Sequence, residues 1–447
     1  MHTPYLAHTP AERQAMLATL GARDIEALFS VIPASLHDVH LELPGAVSEL
    51  ELQREFENLA GRNCPAGSQI SFIGAGSYRH YIPAALPVLA GRSEFLTAYT
   101  PYQAEVSQGT LQVIYEFQSA LCTLTGMDIA NASTYEGATA SAEAMTMATR
   151  ITRRKDLLVS PGLHPEYREV LGNYARSLEL KLHTGKLSGG ALDLSSFDAV
   201  AEPAALMVQY PDFFGQVPDL QVLADWIHAR GGLLIVIVND PVVLGLLEAP
   251  GHLGADIVAG EAQAFGNGLN FGGPNLGYLT AREAHIRQMP GRMSGLSVDA
   301  DGQRAYTLVL QTREQHIRRE KATSNICTNQ GLNALMATIW LALIGKQGLT
   351  ELSSICFQRA HYAAAQISAL PHFRLAFDGP FFHEFVLACD TELTPLLNRL
   401  QAQGCLPGLA LSRWYPAMDR HLLVSVTEMN SVADIDRLVE LLASVPA

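Results

Sequence analysis

The chain has 447 residues and a formal net charge of −14, which argues against nucleic acid or an anionic membrane as its main partner. A hydrophobic content of 48% beside 17% charged residues suits a chain that buries a large core and keeps room for a partner interface, and the length allows more than one domain. Six cysteines (Cys64, Cys122, Cys327, Cys356, Cys389, Cys405) are scattered without a C-x-x-C pair, which points to buried, reduced thiols and away from a zinc or redox motif.

Residues 1–5 carry no basic region ahead of an apolar run, and no run approaches the roughly 18 apolar residues of a membrane helix. The expected location is the cytoplasm. Thr9 as N-cap, Pro10 in the first helical position and Glu12 closing a capping box open a helix. A second cap at Asp24 precedes Ile25, Leu28 and Phe29, and residues 1–65 read as an amphipathic helical arm. Gly74-Ala75-Gly76 imitates the first half of a dinucleotide fingerprint. Arg79 stands where its third glycine belongs, so a structural turn is expected there.

Residues 95–109 form a polar, aromatic, turn-rich segment containing Tyr99, Thr100 and Tyr102. It leads into a helix over 111–125 with Leu111, Ile114, Tyr115, Phe117, Gln118 and Leu121 in helical spacing. Another helix opens within 131–143. Its small residues, Gly137-Ala138-Thr139, either present free N–H groups to a phosphate or pack an Ala-rich helix start, and the residues leave both open.

From Asp156 to Val258 the pattern alternates, with strands over 157–160, 178–182, 205–210 and 233–238 and a helix over 219–230. This argues for a mostly parallel sheet. A strand over 255–259 follows the Asn239-Asp240 strand end and runs into a loop holding Gly266, Gly268, Gly272, Gly273 and Gly277. In open α/β sheets, chemistry sits where strand C-termini meet loops, so this is where a site is expected. Strands at 385–389 and 422–426 and a closing helix over 432–442 belong to a smaller region. The expected division is 1–65 arm, 66–334 large α/β domain and 335–447 smaller C-terminal α+β domain.

A Gly-Ala-Thr helix start, an aspartate at a strand end and a following strand that enters a glycine loop resemble the fold type I pyridoxal-phosphate enzymes. Four stretches are similar to one family among them, the P-protein of the glycine cleavage system. These are Ser71–Pro83, Thr97–Gln103 with Ser107–Gln112, Leu124–Ser133, and the long polar run Leu310–Gln330. The length resembles that of the α subunit found where the P-protein is split into two chains. The resemblance implies glycine dehydrogenase (aminomethyl-transferring, decarboxylating): pyridoxal phosphate condenses with glycine, carbon dioxide leaves, and the aminomethyl group passes to the lipoamide arm of the H-protein. In split forms the cofactor lysine lies on the β subunit, and the chains assemble as α2β2.

A pyridoxal-phosphate enzyme needs a lysine amine as its covalent anchor. The lysines here are Lys155, Lys181, Lys186, Lys321 and Lys346, and none follows the strand entering the glycine loop. The position matching the family's lysine is Gln263, and an amide cannot form an imine. No catalytic residue is therefore expected on this chain, and Gln263, Asp240, Gly137 and Thr139 read as a degenerate cofactor site. The resemblance implies that Tyr99, Thr100 and Tyr102 reach the partner's site, with plain interface packing as the alternative. His316 with Arg313, Arg318 and Arg319 either orients a carboxylate or forms an ion-pair network. His80, His164 and His183 carry no metal pattern, and no metal is assigned. The competing reading is a scaffold that only stabilises the β chain or docks the H-protein.

Overall fold

A computed structural model describes residues 7–37, 41–96 and 99–444; residues 1–5, on which the expectation of no signal peptide rests, and Thr97–Ala98 of the aromatic segment lie outside the described residues. The chain divides into two units, 1–64 and 65–447. In the first, α1 (Pro10–Leu20) starts at a capping box. The Thr9 hydroxyl accepts from the Glu12 N–H and the Glu12 carboxylate accepts from the Thr9 N–H at 2.7 Å. A second helix, α2 (Glu49–Ala60), repeats the device with Ser48 and Glu51. Asp24 caps only a short 3-10 turn, Glu26–Phe29, by accepting from the Ala27 N–H at 2.9 Å.

The second unit is built on a seven-stranded sheet: β1 (Ile129–Ala130), β2 (Asp156–Val159), β3 (Lys181–Thr184), β4 (Ala205–Gln209), β5 (Leu233–Val238), β6 (Ile257–Glu261) and β7 (Gly277–Ala281). Their order is β1-β7-β6-β5-β4-β2-β3, and only β7 runs antiparallel to its neighbours. A parallel strand must be apolar on both faces, and β5 reads Leu-Leu-Ile-Val-Ile-Val. Its Ile235 and Ile237 join a core cluster with Met145, Met147 and Ala148 of α4 (Gly137–Thr152). Leu234, Val236 and Val238 face the other way, onto a cluster with Phe117 and Leu121 of α3 (Gln108–Thr125).

Two strand positions differ from the sequence reading. The strand expected over 178–182 is Lys181–Thr184, because α5 (Pro165–Ser177) runs on until the Leu178 N–H bonds the Tyr174 carbonyl. The strand expected over 255–259 is Ile257–Glu261. The Ala255 N–H instead closes a turn on the Pro250 carbonyl, while Gly260 still pairs with Val238.

A smaller antiparallel sheet follows, from β8 (Phe373–Leu375), β9 (Glu384–Cys389), β10 (Leu409–Ala410) and β11 (His421–Ser425), in the order β8-β9-β11-β10. The helix α6 (Gly331–Ser368) serves both cores. Trp340 and Leu349 pack with the large sheet, Ala360, Ala363 and Ile367 with the small one. Leu335 lies in its first turns, and Gly345 (φ 66°, ψ 178°) is a kink within it. By length and composition α6 is the one helix among the described residues that could cross a membrane. The closing helix α7 (Val432–Ala443) begins at a Ser431–Asp434 capping box. The C-terminal ends of β4, β5 and β6 thus lie along one edge of the large sheet, and the loops leaving that edge carry Asp240 and Gln263.

Candidate functional site

Asp240 leaves β5 fully enclosed, with 3% of its surface exposed. Its Oδ1 accepts from the Val242 N–H at 3.1 Å and caps the turn Pro241–Gly245. Its Oδ2 is 3.0 Å from His80 Nε2, and the other nitrogen of that ring is 2.8 Å from Glu428 Oε2. His383 Nε2 lies 3.1 Å from the same Asp240 oxygen, out of line for a hydrogen bond. Burial works against charge on His80, but Asp240 and Glu428 on either side overcome it and hold the imidazole well above its ordinary pKa. Burial also opposes ionisation of Asp240. His80 and His383 win there, and the carboxyl sits far below the carboxylate range. Asp240 is therefore one oxygen pair of a buried Asp–imidazolium–Glu chain, closed by the Tyr81 N–H and Cys356 thiol donating to Glu428.

His80, Cys356 and Glu428 bring three ligand-type atoms within 4.8 Å of one another. Both ring nitrogens of His80 are committed to carboxylates, and burial pushes the Cys356 thiol up to about 11, so this cluster shares protons. His164 bonds the Ala75 carbonyl at 2.8 Å, and His183 bonds Asp156 at 2.8 Å.

At the end of β6 the organising residue is Glu261, 4% exposed. Its Oε1 accepts from the N–H groups of Gln263 (2.9 Å) and Leu276 (2.6 Å), and its Oε2 from Gly137 (3.0 Å). One carboxyl thus ties together the two ends of the glycine loop and the start of α4. Gln263 turns its amide onto the Asn267 carbonyl within the same loop. The loop glycines divide into two groups. A Cβ at Gly266 would stand 2.5 Å from Leu86 and one at Gly277 2.0 Å from the Thr134 hydroxyl, so these are close-packing positions. Gly272 and Gly273 form the other group. No atom crowds them, and they serve the loop through φ of 111° and 142°.

Burial, with Glu136 adding repulsion, pushes Glu261 up to about 7 against its three N–H donors. A raised carboxyl stabilises the fold fully below its unfolded pKa of about 4.3 and loses that contribution as pH rises through the folded value. The urea midpoint of the wild type relative to Glu261→Gln is therefore expected to fall from pH 5 to pH 8. An unchanged difference would place the proton elsewhere.

The start of α4 does not offer free N–H groups. Glu136 is its N-cap, and the carboxylate folds back to accept from Ala138 (2.6 Å), from Thr139 (3.0 Å) and from the Thr139 hydroxyl. Gly137 is required by packing, since a Cβ there would stand 2.2 Å from the Tyr167 hydroxyl. The run Leu310–Gln330 straps this region. Ser324 donates to Glu143, the Cys327 N–H to the Tyr135 hydroxyl and the Gln330 N–H to Ser133.

All five lysines are exposed. Tyr99 and Tyr102 lie side by side, 75% and 77% exposed, with ring centroids 6.4 Å apart, and Arg292 donates to the Thr100 hydroxyl. The histidine–arginine group does not come together as one cluster. Arg313 is buried against the Gly291 carbonyl (3.0 Å) with Glu314 at 3.8 Å, while His316, Arg318 and Arg319 are exposed. The expectation of buried thiols holds for Cys356, Cys389 and Cys405 and fails for Cys64 and Cys327, which are exposed.

The family model of the glycine cleavage system P-protein matches residues 3–442. The chain belongs to that family. It is 50% identical over 440 residues to a probable glycine dehydrogenase (decarboxylating) subunit 1 of Moorella thermoacetica, covering 97% of this chain and 98% of that protein. A protein of the same name from Desulfitobacterium hafniense is 48% identical, again with 97% and 98% covered. A crystal structure of glycine decarboxylase (P-protein) of the glycine cleavage system, in inhibitor-bound form, superposes with a TM-score of 0.92 at 40% identity, covering 99% of this chain and all of that one. A glutamate decarboxylase from Lactobacillus brevis shares the fold alone, with a TM-score of 0.67 at 13% identity over 92% and 95% of the two chains. The fold is that of the fold type I pyridoxal-phosphate enzymes.

The residues at this edge do not fit that cofactor. Holding it takes a lysine, a free anion cradle and an acid for the ring nitrogen. Here no lysine is buried, the helix N–H groups end on Glu136 and Glu261, and Asp240 is bonded to an imidazolium. The residues that sequence reasoning missed are Glu136, Glu261, His80 and Glu428. Only Glu136 carried a local signal, an acid directly before a Gly-Ala-Thr helix start.

Proposed function

We propose that this chain is the lysine-less α subunit of a split P-protein, acting in the cytoplasm. With a lysine-bearing β subunit, in an α2β2 assembly, it decarboxylates glycine and passes the aminomethyl group to the lipoamide of the H-protein. Pyridoxal phosphate is held covalently by the β subunit, and this chain alone is inactive. The observation that carries the reading is Gln263. It stands at the position matching the family's lysine, with its amide bonded inside the glycine loop and every lysine of the chain at the surface. The subunit 1 names of the relatives support a second subunit.

Co-expression with the partner, borohydride reduction and mass spectrometry test this. The pyridoxyl group is expected on a lysine of the partner, and glycine–bicarbonate exchange only when both chains are present. A pyridoxyl-lysine on this chain would overturn the assignment.

In this reading the exposed Tyr99–Tyr102 pair, with Thr100 held by Arg292, reaches the partner's site. Replacing both tyrosines by Phe in the assembled enzyme is expected to slow exchange about a hundredfold with little change in assembly. An unchanged rate would reduce this segment to interface packing, and exchange by the β chain alone would favour the scaffold reading.

A further inference from the structure

A helix start that binds a phosphate does so through its first N–H groups and any nearby hydroxyl. In α4 the N–H groups of Ala138 and Thr139 and the Thr139 hydroxyl all donate to the carboxylate of Glu136, and the N–H of Gly137 donates to Glu261. On the neighbouring strand end, Asp240 has a protonated ring nitrogen from His80 at 3.0 Å. These are the two polar ends of the cofactor the fold would hold, and both are supplied by side chains.

We propose that the pocket is self-liganded: Glu136 stands in for the phosphate and His80 for the ring nitrogen, so that phosphate-bearing compounds are excluded by occupation as well as by want of a lysine. The inference rests on the partner-held cofactor and adds what keeps free cofactor out of this chain. The occupant is tethered, so a free phosphate competes against an effective concentration in the millimolar range or above. It must also enter, as a dianion, beside the carboxylate of Glu136. Glu136 is the half-exposed member and caps its own helix, so its side chain can be exchanged without opening the core.

The test uses the full-length chain with Glu136→Ala and Glu136→Ser, the serine keeping a helix cap. Probes are inorganic phosphate and pyridoxal phosphate, read by equilibrium dialysis and by the shift in Tm at matched ionic strength. Wild type is expected to take up neither, and Gln263→Lys to bind pyridoxal phosphate only weakly. Both Glu136 variants are expected to bind inorganic phosphate with a rise in Tm. Gln263→Lys combined with Glu136→Ser is expected to bind pyridoxal phosphate at least about tenfold more tightly than Gln263→Lys alone, a difference of about 1.4 kcal/mol. Wild-type phosphate binding equal to that of the variants, or no gain in the serine variant, overturns the inference. If those variants gain nothing while borohydride still labels only the partner, the self-liganded pocket fails and the functional reading stands. A label on this wild-type chain fails the functional reading.

Discussion

Asp240→Ala is expected to destabilise the chain by about 3–5 kcal/mol, the cost of removing one member of a buried ion pair and leaving the other uncompensated. The carboxylate is 3% exposed, neutralises His80 at 3.0 Å and caps the Pro241–Gly245 turn through Val242. Without it, His80 keeps only Glu428, and the Val242 N–H loses its acceptor. The signs of the pH dependence follow from the two directions of shift. Asp240 and Glu428, held low, contribute above the ordinary carboxylate range of about 4 and lose that contribution as pH falls below it. His80, held high, contributes fully below about 6.5 and loses it only as pH rises through its raised value. The gap in urea midpoint between wild type and Asp240→Ala should therefore be widest near pH 5–6 and shrink in acid. A cofactor-pairing aspartate predicts the opposite, a nearly unchanged midpoint with loss of ligand binding, and a gap under about 1 kcal/mol would favour that role.

That aspartate marks where sequence reasoning reached and where it stopped. The run Leu233–Val238 was legible because six apolar, mostly β-branched residues between a Gly-Gly break and Asn-Asp leave a buried strand as the plain solution. Helix starts at Pro10 and Val432 were legible because a capping box or a closing amphipathic run is local chemistry. Local too was the lysine inventory, which needs no geometry. Asp240 could be singled out by its place at a strand end, but its partners could not. His80 lies 160 positions away and Glu428 lies 348 positions beyond His80, and nothing in spacing or periodicity links them. Glu136 was adjacent to the helix start that drew attention, yet the small residues were read for what they leave open. The acid that fills the opening went unread. The strand starts that slipped by two or three residues, at Lys181 and Ile257, did so because the preceding helix ran on to a Leu178–Tyr174 bond and a turn closed from Ala255 onto Pro250, local backbone bonds that side-chain patterning does not register.

Gly260→Ala is expected to cost about 3 kcal/mol or more, the upper end of overpacking in a filled core. Gly260 sits in β6 between β5 and β7, paired with Val238 on one side and Tyr278 on the other. A Cβ there would stand 1.9 Å from the Val238 carbonyl oxygen and 2.7 Å from its carbon, with the Tyr278 hydroxyl at 3.0 Å. Flexible side-chain ends can swing away from a methyl group, but a backbone carbonyl fixed in a central ladder cannot. The strands must separate, and they do so one residue before Glu261 and two before Asp240, so the disruption reaches both carboxyl groups that hold the edge together. Gly272→Ala is the control. It meets no atom, is strained only by its φ of 111°, and should cost about 1 kcal/mol. Urea denaturation of the two variants decides between the accounts, and a Gly260→Ala midpoint close to that of Gly272→Ala would mean that β5 and β6 are not locked at this edge as the close approach requires.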